Sequence, residues 1–200
     1  STDFAGGTSF GLHQKDRIMK KLLIATALLT ACLTVPSWAQ QVSTVVSVDL
    51  TRYTGKWYEI ARFPNRFQED CIANVTAQYD KRTDGDIDVT NRCLQAGGKI
   101  DEAVGRARVD DAGTNAKLKV RFAPDWLSWI PYVWADYWII DLDADYTLAA
   151  VGGPSRDYLW ILSRAPTVPE AAYEALVNRV TAQGFDTAKL VKTRQDSAGK

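Results

Sequence analysis

Few side chains in this 200-residue sequence could do acid–base, nucleophilic or metal chemistry. The one histidine, His13, precedes the one methionine, Met19. Everything beyond Met19 therefore lacks the commonest general base, any Ser-His-Asp or Cys-His nucleophile arrangement, and any zinc site built on imidazole. Carboxylates, phenols and cysteines remain. Asp84, Asp86 and Asp88 alternate through a turn and a strand, and Asp141, Asp143 and Asp145 do likewise. Neither run has the glycine and terminal glutamate of an EF-hand loop, so both read as solvated turn residues. The sequence thus calls for no metal, no cofactor and no catalytic residue. Lys+Arg and Asp+Glu both number 24, which leaves no basic footprint for nucleic acid.

The first part of the chain reads as an address. Met19-Lys20-Lys21 is followed by residues 22–35, which carry no charge, and then by Pro36-Ser37-Trp38-Ala39. A basic start, a short apolar run and small residues before the break make a secretory signal over residues 19–39. The run is too short to cross a bilayer, which takes about 20 apolar residues. Residues 1–18 are read as an upstream or non-native leader and residues 40–200 as the folded domain. Leu29-Thr30-Ala31-Cys32 offers a second reading, because it resembles the lipobox of bacterial lipoproteins, in which the cysteine becomes the lipidated first residue. Against it, the apolar run continues past Cys32. Either way the chain is expected in the periplasm or on the periplasmic face of the outer membrane. In that compartment the two remaining cysteines, Cys71 and Cys93, read as a disulfide. Both fall on the apolar parity of what are expected to be consecutive strands, where facing Cβ atoms lie close enough to bridge.

The elements that must hold these residues show mainly a period of two. Residues 73–80 alternate apolar and polar without a break, residues 87–90 repeat the pattern, and residues 117–122 place every cation on one side. Turn signals such as Asp84-Gly85 and Gly97-Gly98 separate these runs. Strands are expected at 56–63, 71–80, 86–93, 99–109, 116–123, 133–142, 146–152 and 158–164, with a ninth near 188–194. Eight short strands at this spacing imply a sandwich or an up-and-down barrel. One helix follows: Thr167 to Glu170 reads as a capping box with Pro169 in the first turn, and Ala172, Leu176 and Val180 recur at four-residue spacing beside Ala175. Gly184 supplies the stop, with Phe185 folding back.

Two segments then narrow the choice. Gly55-Lys56-Trp57-Tyr58-Glu59-Ile60-Ala61-Arg62 resembles the first-strand signature of the lipocalins. Arg156-Asp157-Tyr158-Leu159-Trp160-Ile161-Leu162-Ser163-Arg164 resembles their last-strand signature, and residues 142–146 the strand before the final hairpin. Over residues 45–195 the chain is similar to the bacterial outer-membrane lipocalins and their apolipoprotein D-like relatives. The resemblance implies an all-β fold, an eight-stranded up-and-down antiparallel barrel open at one end, with one external C-terminal α-helix. It implies binding of a fatty acid or lysophospholipid in the barrel, for storage or transport in the cell envelope. It also implies a structural pair, the Arg164 guanidinium over the Trp57 indole, beside Gly55 at the closed end. Two other readings stay open: a lipid-modifying enzyme on the same barrel, using Tyr79 or an inward acid, and a structural envelope protein with a filled barrel.

Ligand contacts are expected from the inward stripe of Val75, Ala77, Tyr79, Val89, Asn91, Ala103, Gly105, Ala107, Leu118, Val120, Phe122 and Trp138. Small inward residues on the 99–109 strand leave volume unfilled, although the same stripe suits a solid core. Asn91 is a lone amide there, able to bond a ligand headgroup or a neighbouring side chain. Trp126, Trp129, Tyr132 and Trp134 make residues 123–138 too aromatic for an ordinary hairpin loop. They read as a lid that touches a membrane surface, as a loop folded over its own barrel mouth, or as a homodimer contact in a chain that is otherwise monomeric.

Overall fold

The computed structural model describes residues 41–196, besides Thr2, and the folded part lies within the compact unit Gln40–Lys200. The leader, both cleavage expectations and the fate of Cys32 lie outside the described residues. The alternating segments form β1 (Gly55–Arg62), β2 (Ala73–Lys81), β3 (Ile87–Leu94), β4 (Ile100–Val109), β5 (Lys117–Arg121), β6 (Ala135–Leu142), β7 (Leu148–Gly152) and β8 (Leu159–Ser163). Each pairs antiparallel with the next. β1 closes the sheet by pairing with both β8 and β2, so the meander is a barrel and not a sandwich. Closure removes the sheet edges that an open meander would expose.

β1 and β2 pair only from Gly55↔Tyr79 to Tyr58↔Thr76. Above that point they part, and the C-terminal segment takes the gap. The ninth strand is just β9 (Val191–Lys192), paired with Ala61 and Arg62. Beyond it Thr193 donates its N–H to the Ile60 carbonyl, and the Asn74 N–H reaches the Arg194 carbonyl.

Alternation sorts the side chains into two apolar layers. The inner one includes Tyr53, Trp57, Ala77, Tyr79, Val89, Leu118 and Ile139. The outer one joins Ala61, Ile140, Leu159 and Ile161 to the long helix. That helix, α2 (Glu170–Ala182), differs from expectation at its start and on its buried face. Pro169 stands at the N-cap with no side-chain bond, so no capping box forms around Thr167. The buried face is Tyr173, Leu176 and Val180, while Ala172 and Ala175 are exposed. Spacings of three and four put the larger side chains inward, each worth about 1.5–3 kcal/mol on burial. Gly184 ends the helix at φ +86°, and Phe185 turns back into the outer layer, where a Cβ on Gly152 would stand 2.9 Å from its ring. A short helix, α1 (Leu50–Tyr53), is too brief to announce itself by period; Asp49 caps it by accepting from the Thr51 N–H.

Candidate ligand site

The closed end is built on α1 and the first residues of β1. Gly55 takes φ +96°, a region that disfavours side chains, and its open face receives the Arg164 guanidinium. Arg164 lies 4.0 Å from the centre of the Trp57 ring. Its Nη1 donates to the Lys56 carbonyl, its Nη2 is shared among the carbonyls of Arg52, Tyr53 and Thr54, and its Nε reaches Tyr146. Trp57 in turn donates its indole N–H to the Tyr53 carbonyl at 2.8 Å. One side chain just beyond β8 thus satisfies the carbonyls at the end of α1 and fixes the plug against the barrel floor.

Above the plug three phenols meet. The Tyr53 and Tyr137 hydroxyls are 2.8 Å apart, and Tyr137 donates to Tyr79 at 2.9 Å. Burial away from water disfavours the phenolates. It raises Tyr79 to about 12 and lifts Tyr53 and Tyr137 well above the usual phenol value. Tyr79 is therefore protonated at neutral pH, a hydrogen-bonding group and a poor general base. Tyr137 is half-buried, so the triad forms the polar floor of whatever space lies above it.

The inward stripe divides by depth. Ala77, Tyr79, Val89, Ala107 and Leu118 are buried in the inner layer, with Val120 packed on it. Val75 is buried one step higher. The register of β3 with β4 pairs Val89 with Gly105 and Asn91 with Ala103, which puts all four on the inner face. Here the packing opens: Asn91 is half-buried and Ala103 is exposed despite facing inward. Ala135, opposite Val120 on β6, is exposed as well. Asn91 makes no side-chain hydrogen bond among the described residues, which leaves its amide to solvent or to a ligand.

Three expectations need correction. Trp138 faces outward: it packs on the outer layer with the Lys117 ammonium 4.5 Å over its ring, and Tyr137 is the inward aromatic. The Ala135–Leu142 strand is offset by one residue from the face assumed for it, and such a slip exchanges every side chain's face. Gly105 does not leave a void. A Cβ there would stand 2.7 Å from the Phe122 ring, so the glycine makes room for Phe122, which roofs it from just beyond β5. Cys71 lies ahead of β2, not within it, although it is joined to Cys93.

A polar network near the mouth went unread in the sequence, although Glu59 shares the parity of Trp57. Glu59 stands opposite Leu162 of the inner layer while Ala61 stands opposite Ile161 of the outer one, because the strand bulges between them. Glu59 keeps the inward parity of Trp57, and its buried carboxylate accepts from Arg62 Nη1 at 2.8 Å, from Gln68 Nε2 at 2.7 Å and from the Thr193 hydroxyl. Gln68 also accepts from the Trp160 indole, and Arg62 reaches the Gln68 and Cys71 carbonyls. Glu59 and Arg62 belong to the motif that carried the resemblance, and the bulge between them turns Ala61 outward and brings Arg62 to the carboxylate's side.

The aromatic loop after β5 is not folded over the mouth. Trp126, Trp129 and Tyr132 are 73%, 78% and 98% exposed. Trp134 anchors the loop on the outer wall, between Arg108 of β4 and Arg121 of β5. The acidic turns are occupied by ion pairs: Arg82 bridges Asp84 and Asp88, and Arg179 holds Asp141. Asp143 caps its own turn at Thr147 and Leu148.

A closed eight-stranded meander, plugged below by a short helix under an Arg–Trp clasp, open above and flanked by one helix, is the barrel of a lipocalin. The chain belongs to the lipocalin family: residues 48–195 match the lipocalin-like domain. It is 42% identical to temperature-induced lipocalin-1 of Arabidopsis thaliana over 159 residues, 78% of this chain and 84% of the relative. It is 38% identical to outer membrane lipoprotein Blc of Escherichia coli over 182 residues, 90% of this chain and 98% of the relative. Among solved structures, insecticyanin from the tobacco hornworm Manduca sexta superposes with a TM-score of 0.62 at 18% identity, covering 82% of this chain and 89% of its own; that likeness speaks to the fold alone.

Proposed function

We propose that this lipocalin carries a fatty acid or a lysophospholipid in the open half of its barrel, for storage or transfer in the bacterial cell envelope. Lipocalins bind small hydrophobic ligands. The observation that carries the reading here is the contrast in depth: below the tyrosine floor the inner face is packed, whereas the inward positions Ala103 and Ala135 above it are exposed. An acyl chain there would gain about 0.8 kcal/mol for each buried methylene. The unpartnered Asn91 amide and the tyrosine hydroxyls offer polar contacts to its headgroup. The exposed tryptophans of the loop after β5 suit the segment that meets the donor membrane. The leader and the likeness to an outer membrane lipoprotein support export.

The test is native mass spectrometry of the full-length protein recovered from its own envelope, followed by denaturation and lipid extraction. A bound fatty acid or lysophospholipid is expected, and the same spectrum reports whether the mature chain begins at Gln40 or at a triacylated Cys32. No bound lipid, together with no uptake of added acyl chains, would refute the carrier reading and leave the barrel a structural element.

A further inference from the structure

The outer wall of β4 and β5 carries an arrangement that barrel closure does not need. Their register sets Arg106 directly opposite Arg121 and Arg108 directly opposite Lys119. Like charges facing each other across strands are destabilising. Lys119 is relieved by Asp136 at 2.6 Å, and the ion pairs of Arg106 among the described residues are the looser ones to Asp86 at 3.6 Å and Asp84 at 4.0 Å. Arg108 has no ion pair among the described residues; it lies over the Trp134 ring at 4.2 Å. Arg121 is 3% exposed, yet its Nε has no hydrogen-bond partner among the described residues. Its Nη1 donates to the Ala123 carbonyl and its Nη2 to Asp125 at 2.6 Å, an aspartate whose side chain is 80% exposed. Asp86, Arg106, Arg108, Arg121, Asp125, Ser128 and Trp134 line a hollow of about 300 Å³. The same loop holds out Trp126, Trp129 and Tyr132.

We propose that this hollow takes the phosphate headgroup of an anionic lipid bilayer, docking the barrel on the membrane while Trp126, Trp129 and Tyr132 enter the interface. Three guanidinium groups face two carboxylates there; Asp86 stays with Arg106, and the exposed Asp125 stands in for an external anion. Asp125 is held below the usual carboxylate range by Arg121 and Arg106, so a phosphate that displaces it exchanges one anion for another. Phosphate oxygens match the guanidinium fork, which Arg106 and the exposed Arg108 present at the hollow. The aromatics decide the source. Trp and Tyr favour the boundary between headgroups and acyl chains, and a free phosphate ion would gain nothing from them. The inference rests on reading this loop as the membrane-facing segment and adds the lipid charge it selects.

The experiment measures partition of the full chain onto vesicles of phosphatidylcholine alone and of phosphatidylcholine mixed with phosphatidylglycerol, by co-sedimentation and by tryptophan emission. Stronger partition onto the anionic vesicles is expected. Arg108→Gln, at an exposed outer position, should weaken it about five-fold, the change one basic residue carries near an anionic surface. Lys189→Gln, at an exposed site outside the hollow, should leave it unchanged. Trp126→Ser combined with Trp129→Ser should remove the blue shift on binding. Equal partition onto both vesicles, or no effect of Arg108→Gln, overturns the proposal. So does binding of inorganic phosphate by a chain that ignores vesicles, which would make this a free-phosphate site. Uptake of an acyl chain into the barrel, measured on the same preparations without vesicles, separates failure of the docking site from failure of the carrier reading.

Discussion

Ala103 and Val104 are neighbours on β4, both exposed, and they face opposite sides of the barrel wall. Ala103 is inward by its register with Asn91, and Val104, 62% exposed, is outward opposite Thr90. Placing a tryptophan at each in turn compares the inside of the mouth with the outside while leaving length, strand and bulk the same. Neither position is packed, so neither substitution overfills a core. An indole at residue 103 would occupy the room of roughly five methylenes of an acyl chain, which at about 0.8 kcal/mol each is about 4 kcal/mol of lost apolar burial. That corresponds to roughly a thousand-fold rise in Kd.

The assay is a titration of each variant with a fluorescent fatty acid, beside urea denaturation to confirm that both fold. Ala103→Trp should bind about a thousand-fold more weakly at unchanged stability, and Val104→Trp should bind as the parent does. Equal affinity for the two would refute the assignment of the open half as the ligand space. A loss confined to Val104→Trp would refute the register argument itself.

Three further outcomes follow from particular contacts. Arg164→Ala removes a cation–π contact of about 1 kcal/mol and three donor nitrogens serving the carbonyls around α1, about 1 kcal/mol each, so unfolding free energy should fall by about 4 kcal/mol. Arg164→Lys should recover little of it, because a point ammonium cannot reach carbonyls in several directions; full rescue by lysine would count against the clasp. Gly105→Ala should cost about 1–3 kcal/mol in chemical denaturation although its backbone is unstrained, since the new methyl would meet the Arg121 carbonyl at 2.5 Å and the Phe122 ring at 2.7 Å; a neutral result would mean that Phe122 does not roof the site. Tyr79 has its folded pKa raised from 10 to about 12, so the stability it contributes is present below pH 10 and is lost as pH climbs to 12, by about 3 kcal/mol at most. Tyr79→Phe should flatten that alkaline decline, which denaturation at stepped pH would register.

What the sequence revealed and what it hid follow from the range of each interaction. Strands were readable because alternation is local: each run states its own buried face, and the stripes read on β2, β3, β4 and β5 lie on the inner face. Trp138 failed for the same reason. In Asp136-Tyr137-Trp138-Ile139-Ile140 both parities are apolar, because outward positions there serve the layer beneath α2. A wall covered on both sides carries no alternation to read. Gly105 was misread as space because a glycine in a strand marks either a void or a close neighbour, and only Phe122, seventeen residues on, decides which. The Glu59 network needed still more: its parity with Trp57 was local, but Arg62 reaches it only across a bulge and its other partners come from Gln68 and from Thr193, far along the chain.

The Glu59 network explains why the mouth can be open at all. Parting β1 from β2 above Tyr58 widens the barrel on that side, and the backbone groups so released must find partners. Residues 193–195 supply them, with Gln195 donating to the Glu59 and Val75 carbonyls and Thr193 closing on both Ile60 and the Glu59 carboxylate. A buried carboxylate at that seam is sustained by Arg62 and Gln68, and through Gln68 it is tied to Trp160 of β8. The first strand, the last strand, the loop before β2 and the C-terminal segment are therefore held by one set of polar bonds around the rim. With the rim held by polar bonds and the floor by the clasp and the tyrosines, both ends of the wall are fixed without the exposed inward positions Ala103 and Ala135, which is the condition a barrel must meet if its upper half is to take a ligand.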